Sequence, residues 1–301
     1  MATTLMWTGS VSAVSSISHG GETRGTTTML RREQIIQPDG QPKLVPIISG
    51  NAFRGRLRRL GEELIRDALG YAGEISLPAF HALRSGGALA STGREPLSGQ
   101  RLADLRRLVP QIGVFGCAGG GRIIDGCLQV GKVVPILQET AHIVPANLLP
   151  ADRATIPAFN STQIETAVRL DDAERHGAID VVAETIPVGR SGLPELGDLS
   201  APGHSTTILM QYRNETFPAG TRFATWLRLE RATPVEVSFF AEILQRFQAD
   251  GRLGGRAATG HGQVAMDLTR AVICGADEQT DWRDHINQSR HDALLALKDL
   301  T

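Results

Sequence analysis

Four arginines lie within six residues in the segment Ile48-Ser49-Gly50-Asn51-Ala52-Phe53-Arg54-Gly55-Arg56-Leu57-Arg58-Arg59. A guanidinium group is a planar fork that matches phosphate oxygens two at a time. The spacing predicts a helix over about Asn51 to Leu69, because Phe53, Leu57, Leu60 and Leu64 recur on one face. Arg54 and Arg58 then flank one edge of that apolar stripe, and Arg56 and Arg59 flank the other. Cations in the first turns oppose the helix dipole. A bound phosphate resolves the conflict, since the free amides around Ser49, Gly50 and Asn51 and the guanidinium groups would all face it. The alternative is a solvated face balanced by Glu62, Glu63 and Asp67.

Two glycine-rich stretches offer a second kind of contact. Val114 to Arg122 holds Gly119, Gly120 and Gly121 beside Arg122. Such a run lets backbone approach a ligand more closely than side chains permit. It is neither a Walker loop nor a dinucleotide fingerprint, because the required lysine and spacing are missing. The other stretch, Gly251 to Val264, presents amides together with Arg256, Thr259 and His261. For both, an ordinary set of tight turns is the competing reading.

Catalytic chemistry is thin. His19, His142, His176, His204 and His261 have no partner at metal-ligand spacing, and the carboxylates form no paired motif. Ser49 and Ser191 lack the strand–turn–helix setting of an activated serine. Cys117, Cys127 and Cys274 are odd in number and unpaired by spacing, which argues against a disulfide framework or zinc site and for a reducing cytoplasm. No apolar run long enough to span a bilayer and no secretory leader are visible, so neither membrane association nor export is expected.

The chain of 301 residues is 41% hydrophobic, enough for a large core, and its formal net charge is -1. That balance hides an asymmetry. Residues 1–150 carry 16 basic against 11 acidic side chains, and residues 151–301 carry 15 against 21. Residues 25–59 alone hold seven basic side chains and two acids. A basic half and an acidic half suit a polyanion-binding face or head-to-tail self-association, although chance scatter gives the same split.

The elements that would position these residues follow from patterning. Met6–Ile17 reads as a first strand and His19–Gly40 as a long polar loop. Leu44–Ile48 reads as a short strand, followed by the helix from Asn51 and a short helix over Leu102–Leu108. Residues 138–207 read as a loop-rich insertion. Thr206–Phe217 and Thr221–Glu230 alternate as strands, the latter with Phe223, Thr225, Leu227 and Leu229 on one face. Val235–Phe247 has helical spacing, and Val264–Leu268 closes with a strand. Strand–helix–strand early and again late is the split arrangement of a ferredoxin-like fold, and sheets of that kind often bind RNA.

Taken together, three segments carry a family resemblance: Ile48–Arg59, Val114–Gly131, and Phe217–Val264 with its loop Leu253-Gly254-Gly255-Arg256-Ala257-Ala258-Thr259-Gly260-His261-Gly262. They resemble the RAMP superfamily of CRISPR effector complexes, and most of all the backbone subunit that coats guide RNA in type III and type IV systems. The resemblance implies an α+β fold: a modified ferredoxin-like (RRM) palm with inserted finger and thumb segments. The palm would occupy about 1–70, 110–137 and 206–275, the finger about 71–109, the thumb about 138–205, and a terminal helix about 280–300. It implies that Arg54, Arg56 and Arg58 match the family's positions on the guide backbone. His19, Arg24, Arg31 and Arg32 extend the set of candidate RNA contacts.

The implied partners are guide RNA, further copies of the chain in a helical filament, other effector subunits, and a target strand paired to the guide. No cofactor or metal is implied. Type III backbone subunits carry a catalytic Asp in the loop ahead of the first helix. The matching stretch here, about Gly25–Gln37, has no Asp and only Glu33 among Arg31 and Arg32. The expectation is therefore a non-cleaving subunit of type IV kind. The runners-up are an endoribonuclease maturing guide precursors with His19 as acid/base, and a target-RNA nuclease using Glu33 with a metal.

Overall fold

The structure, a computed structural model, describes residues 2–87, 99–119, 122–158, 162–169, 210–278, 280–298 and 300. In the first part of the chain, β1 (Thr3–Ala13), β2 (Gly20–Arg24), β3 (Thr27–Leu30), β4 (Arg32–Ile36) and β5 (Pro42–Pro46) precede α1 (Gly50–Leu69). Next come α2 (Leu77–Arg84), α3 (Gly99–Leu108), α4 (Pro110–Phe115) and the short strands β6 (Cys117–Gly119), β7 (Arg122–Ile124), β8 (Leu128–Val130) and β9 (Val134–Pro135). The last part holds β10 (Gln163–Arg169), β11 (Met210–Thr216), β12 (Arg222–Ala232), α5 (Pro234–Ala249), β13 (Val264–Cys274), α6 (Trp282–Gln288) and α7 (Arg290–Lys298).

The central sheet runs β13-β1-β12-β8, with β9 also on β12, and all of these pairs are antiparallel. Two units, β1–α1–β8 and β12–α5–β13, interleave in it, as a split ferredoxin-like arrangement requires. Along β1 the residues Leu5, Trp7, Val11 and Ala13 are buried, while Met6, Thr8, Ser10 and Ser12 are partly open. The buried side meets the helices. Trp7 packs edge-on against Phe240 of α5 at 5.3 Å, and Phe53 of α1 meets Phe247 at 5.1 Å between ring centres. The expected face of β12 is the buried one: Phe223, Thr225, Leu227 and Leu229 all lie inside.

Both long helices are set by local chemistry. Ser49 caps α1 by accepting from the Ala52 amide at 3.3 Å, and Gly70 ends it in the left-handed conformation. At α5 Thr233 and Glu236 form a reciprocal capping box.

Several expectations are corrected. The first strand lies nearer the start, because its register with β12 ends at Ser12↔Arg222. Ile17 makes a separate bridge to Phe217. Residues 19–40 are not a loop but hold β2, β3 and β4. β3 runs parallel to β11, and β2 and β10 extend this second sheet. The terminal helix is two helices that meet at Ser289. Residues 72–100 include α2, whose Ala79, Ala82 and Leu83 join the core. Much of the segment read as a thumb, with its turn at Asp171-Asp172 and its Gly/Pro linker at 187–203, lies outside the described residues.

Leu57 is fully buried at the centre of the α1 stripe. Leu57→Ala is expected to cost about 2–5 kcal/mol, read from the urea unfolding midpoint.

Candidate nucleic-acid interface

The residues singled out in sequence separate into four places. The first is the start of α1. The Ser49 amide donates to His19 Nε2 at 3.2 Å, and Gly50 lies against the backbone of Val130 and Gly131. The Arg31 amide donates to the His19 carbonyl at 2.8 Å. Asn51 and Arg31 are exposed. Burial, and then the charge of Arg31, hold the His19 pKa below its ordinary value. The imidazole is thus neutral and its Nε2 is an acceptor. No acidic side chain stands in the first turn of α1, so the dipole there is uncompensated.

The glycine-rich loop after α5 joins this place. The Gly255 amide donates to the Ser18 carbonyl at 2.7 Å, one residue from His19. Gly254 has φ +82, and a Cβ on it would fall 2.3 Å from that same carbonyl, so only glycine fits. The first and third sequence blocks are therefore neighbours across Ser18 and His19.

Further along the same loop is the second place. Arg256, left-handed at φ 60, sets its guanidinium 5.1 Å from the centre of the Tyr212 ring. Thr259 donates to the Arg256 carbonyl at 3.0 Å, leaving both side chains exposed. His261 is held between Ser16, at 3.1 Å from Nδ1, and Glu165 of β10, at 3.5 Å from Nε2. Burial opposes the Glu165 charge, but hydrogen bonds from Ser16, Thr216 and Gln163 and the nearby His261 outweigh it and hold the carboxyl below its usual range. The loop is thereby tied to the second sheet.

The third place is the middle of α1, and it departs from expectation. Arg54 and Arg58 do not flank the stripe at the surface. Arg54 donates to the carbonyls of Leu128 at 2.5 Å and Phe115 at 2.6 Å. Arg58 is buried and donates to Phe115 at 2.7 Å, Gly116 at 2.9 Å and Ala82 at 3.3 Å. Both guanidinium groups lie near the Phe115 ring, at 6.0 and 5.4 Å. Burial, followed by the charge of Arg54, lowers the Arg58 pKa to about 10, so it stays charged at neutral pH. These two arginines hold the turn after α4 onto α1.

Arg56 and Arg59 remain available on the other edge. Arg59 is exposed, and Arg56 Nε is buried without a partner. The Arg59 pKa is lowered by partial burial and then by the crowding charges of Arg56 and Arg84. Arg84 is held by Glu62 and Glu63.

The fourth place is the β6–β7 hairpin. Gly119 and the exposed Arg122 belong to it, and Gly120 and Gly121 lie outside the described residues. Gly119 sits beside Leu300. Among the earlier candidates, Arg24 pairs with Glu22 and Arg32 with Glu215. Glu33 pairs with Lys132, not with its sequence neighbours, because alternation along β4 turns it away from Arg32. His176, His204 and Ser191 lie outside the described residues. Burial keeps the Cys117 thiol up at about 11 and raises Cys127 as well, so both are inert thiols. Among the described residues no group of three or more His, Cys, Asp or Glu side chains is placed to hold a metal, and no helix is long and apolar enough to cross a membrane.

The class follows from this frame. The model of the RAMP superfamily matches residues 1–265, and the chain belongs to that superfamily. Among solved structures it is similar to a chain of a Type IV-B CRISPR Complex, at 33% identity and a TM-score of 0.61, covering 94% of this chain and 98% of that one. No curated protein matches.

Two outcomes test the residue assignments. Arg58→Ala removes the guanidinium donor of the Gly116 and Ala82 carbonyls, while Phe115 keeps Arg54, at on the order of 1–3 kcal/mol for each carbonyl that stays buried and unbonded. Arg59→Ala should change stability by no more than about 0.5 kcal/mol; urea unfolding compares the two. His19 binds its proton less readily folded than unfolded, where it titrates near 6.5. Its contribution is complete above that value and is lost as pH falls through the lower folded pKa. Wild type should therefore lose stability on acidification more steeply than His19→Asn, and equal slopes would remove the role given to this residue.

Proposed function

We propose that this protein is a guide-RNA-binding backbone subunit of a type IV CRISPR effector complex, assembling head to tail into a helical filament along the RNA. The observation that carries the reading is the end-to-end similarity to a chain of a Type IV-B CRISPR Complex, at 33% identity over 94% of the chain. The geometry supports it. An uncompensated helix N-terminus and the exposed Arg31 meet around His19, and the glycine loop bonded to Ser18 beside it presents Arg256 and Thr259 further along. Such groups read sugar-phosphate backbone rather than sequence. Arg56 and Arg59 supply a further pair of cations. Arg54 and Arg58 act one step back, by fixing the helix that carries them.

The subunit does not cut RNA in this reading. In the stretch that matches the type III catalytic loop, about Gly25–Gln37, the only carboxylate is Glu33, and its charge is taken by Lys132. His19 has its Nε2 engaged by the Ser49 amide, and among the described residues no carboxylate hydrogen-bonds to it. The basic first half and acidic second half favour contact between successive copies, as open heterologous assembly requires.

Purified protein should carry RNA, elute as a multimer, and lose RNA steeply as salt rises. Arg56→Ala with Arg59→Ala should lower the salt slope by about one for each phosphate contact removed. Precursor and target RNA should remain intact with wild type, with or without magnesium. A strictly monomeric preparation free of nucleic acid would sink the reading. Site-specific cleavage abolished by His19→Ala would replace it with the endoribonuclease.

A further inference from the structure

The face of the central sheet turned away from α1 and α5 carries one aromatic ring in a field of small side chains. Met6, Thr8, Ser10 and Ser12 of β1 stand opposite Arg228, Trp226, Ala224 and Arg222 of β12. On the other side of β1 the same positions meet Ala271, Thr269, Asp267 and Ala265 of β13. Along β12 this face therefore reads Arg222, Ala224, Trp226, Arg228: a cation, a small residue, an aromatic, a cation. Trp226 is 39% exposed, whereas Trp7 and Trp282 are buried at 6% and 3%.

The ring is also fixed in place. The Gly131 amide donates to the Trp226 carbonyl at 2.8 Å. A Cβ on Gly131 would fall 2.6 Å from the indole Nε1, so the backbone passes the ring at a distance only glycine allows. In front of the ring is a groove of about 460 Å³, bounded by Met6, Thr8, Lys132, Val134 and Ile143.

We propose that this face is a stacking platform for an unpaired base of a single nucleic-acid strand, with Trp226 as the ring on which the base lies. Arg222 and Arg228 share its face of β12 and Lys132 lines the groove, where the phosphates on either side of the base would run and would compete with Glu230 for Arg228 and with Glu33 for Lys132. An aromatic face takes any base, because every base has a π-face, and neighbouring cations supply the backbone attraction. The groove beside the ring is lined mostly by apolar side chains, and what favours a strand with phosphates over an apolar peptide is that Arg222 and Arg228 share the ring's face of β12, with Arg222 exposed. The platform rests on the reading of the chain as a nucleic-acid-binding subunit. Its groove adjoins the start of α1, because Gly50 lies against the backbone of Val130 and Gly131, which line it.

Intrinsic fluorescence tests it, since Trp226 is the exposed one of the three tryptophans. The full chain, stripped of nucleic acid at high salt, is titrated with a short oligouridylate and with an abasic strand of the same length, with binding followed separately by filter retention. The oligouridylate should quench the Trp226 share of the emission, and the abasic strand should bind without quenching. Trp226→Ala should abolish the quenching and weaken oligouridylate binding by roughly 5- to 150-fold, the range of one stacked base; Trp226→Phe should recover part of the affinity. Retention of oligouridylate with wild-type emission unchanged would overturn the platform and leave the guide-binding role standing. No retention of either strand would overturn both. Shielding of Trp226 from acrylamide by a protein subunit, but not by oligouridylate, would assign the groove to a protein and also overturn it.

Discussion

The hydrogens of two guanidinium groups hold the functional helix where it is. Arg54 and Arg58 give theirs to the carbonyls of Phe115, Gly116, Ala82 and Leu128. A buried charge is costly unless its donors are satisfied. Here the contacts that satisfy the charge also tie α1 to α2, the turn after α4 and β8. With α1 fixed against α2, α4 and β8, its start meets the connecting segment that carries Ser18 and His19, and that segment in turn bonds the glycine loop. The start of α1 and the glycine loop thus inherit their geometry from a clamp that need not touch RNA itself.

Much of this was legible in the residues. The spacing of Phe53, Leu57, Leu60 and Leu64 marks α1, and alternation marks the buried face of β12, because each pattern reports a single two-sided environment. The region 19–40 was illegible for the opposite reason. All five residues of β2 are exposed, and β3 finds its parallel partner in β11, far along the chain. Polar strands supported by distant pairing leave no local period.

The site was legible in its blocks but not in its roles. Four arginines in a row look alike in sequence. Which of them is spent on carbonyls depends on Phe115 and Leu128, some sixty to seventy positions later. Glu33 was placed with its sequence neighbours, whereas strand alternation gives it to Lys132. Trp226 passed unnoticed because an aromatic on an alternating strand usually points inward; the visible signal was its phase, opposite to Phe223 and Leu227.

The pairing of β10 with β11 brings Arg169 and Met210 side by side across the second sheet. Positions 169 and 210 are therefore fixed neighbours in the sheet, whatever the length of chain that joins them. The entropy of closing a segment between two such fixed points grows only logarithmically with its length, about 0.6 kcal/mol for each doubling. Extra chain inserted between those positions should therefore add little to the free energy of pairing β10 with β11.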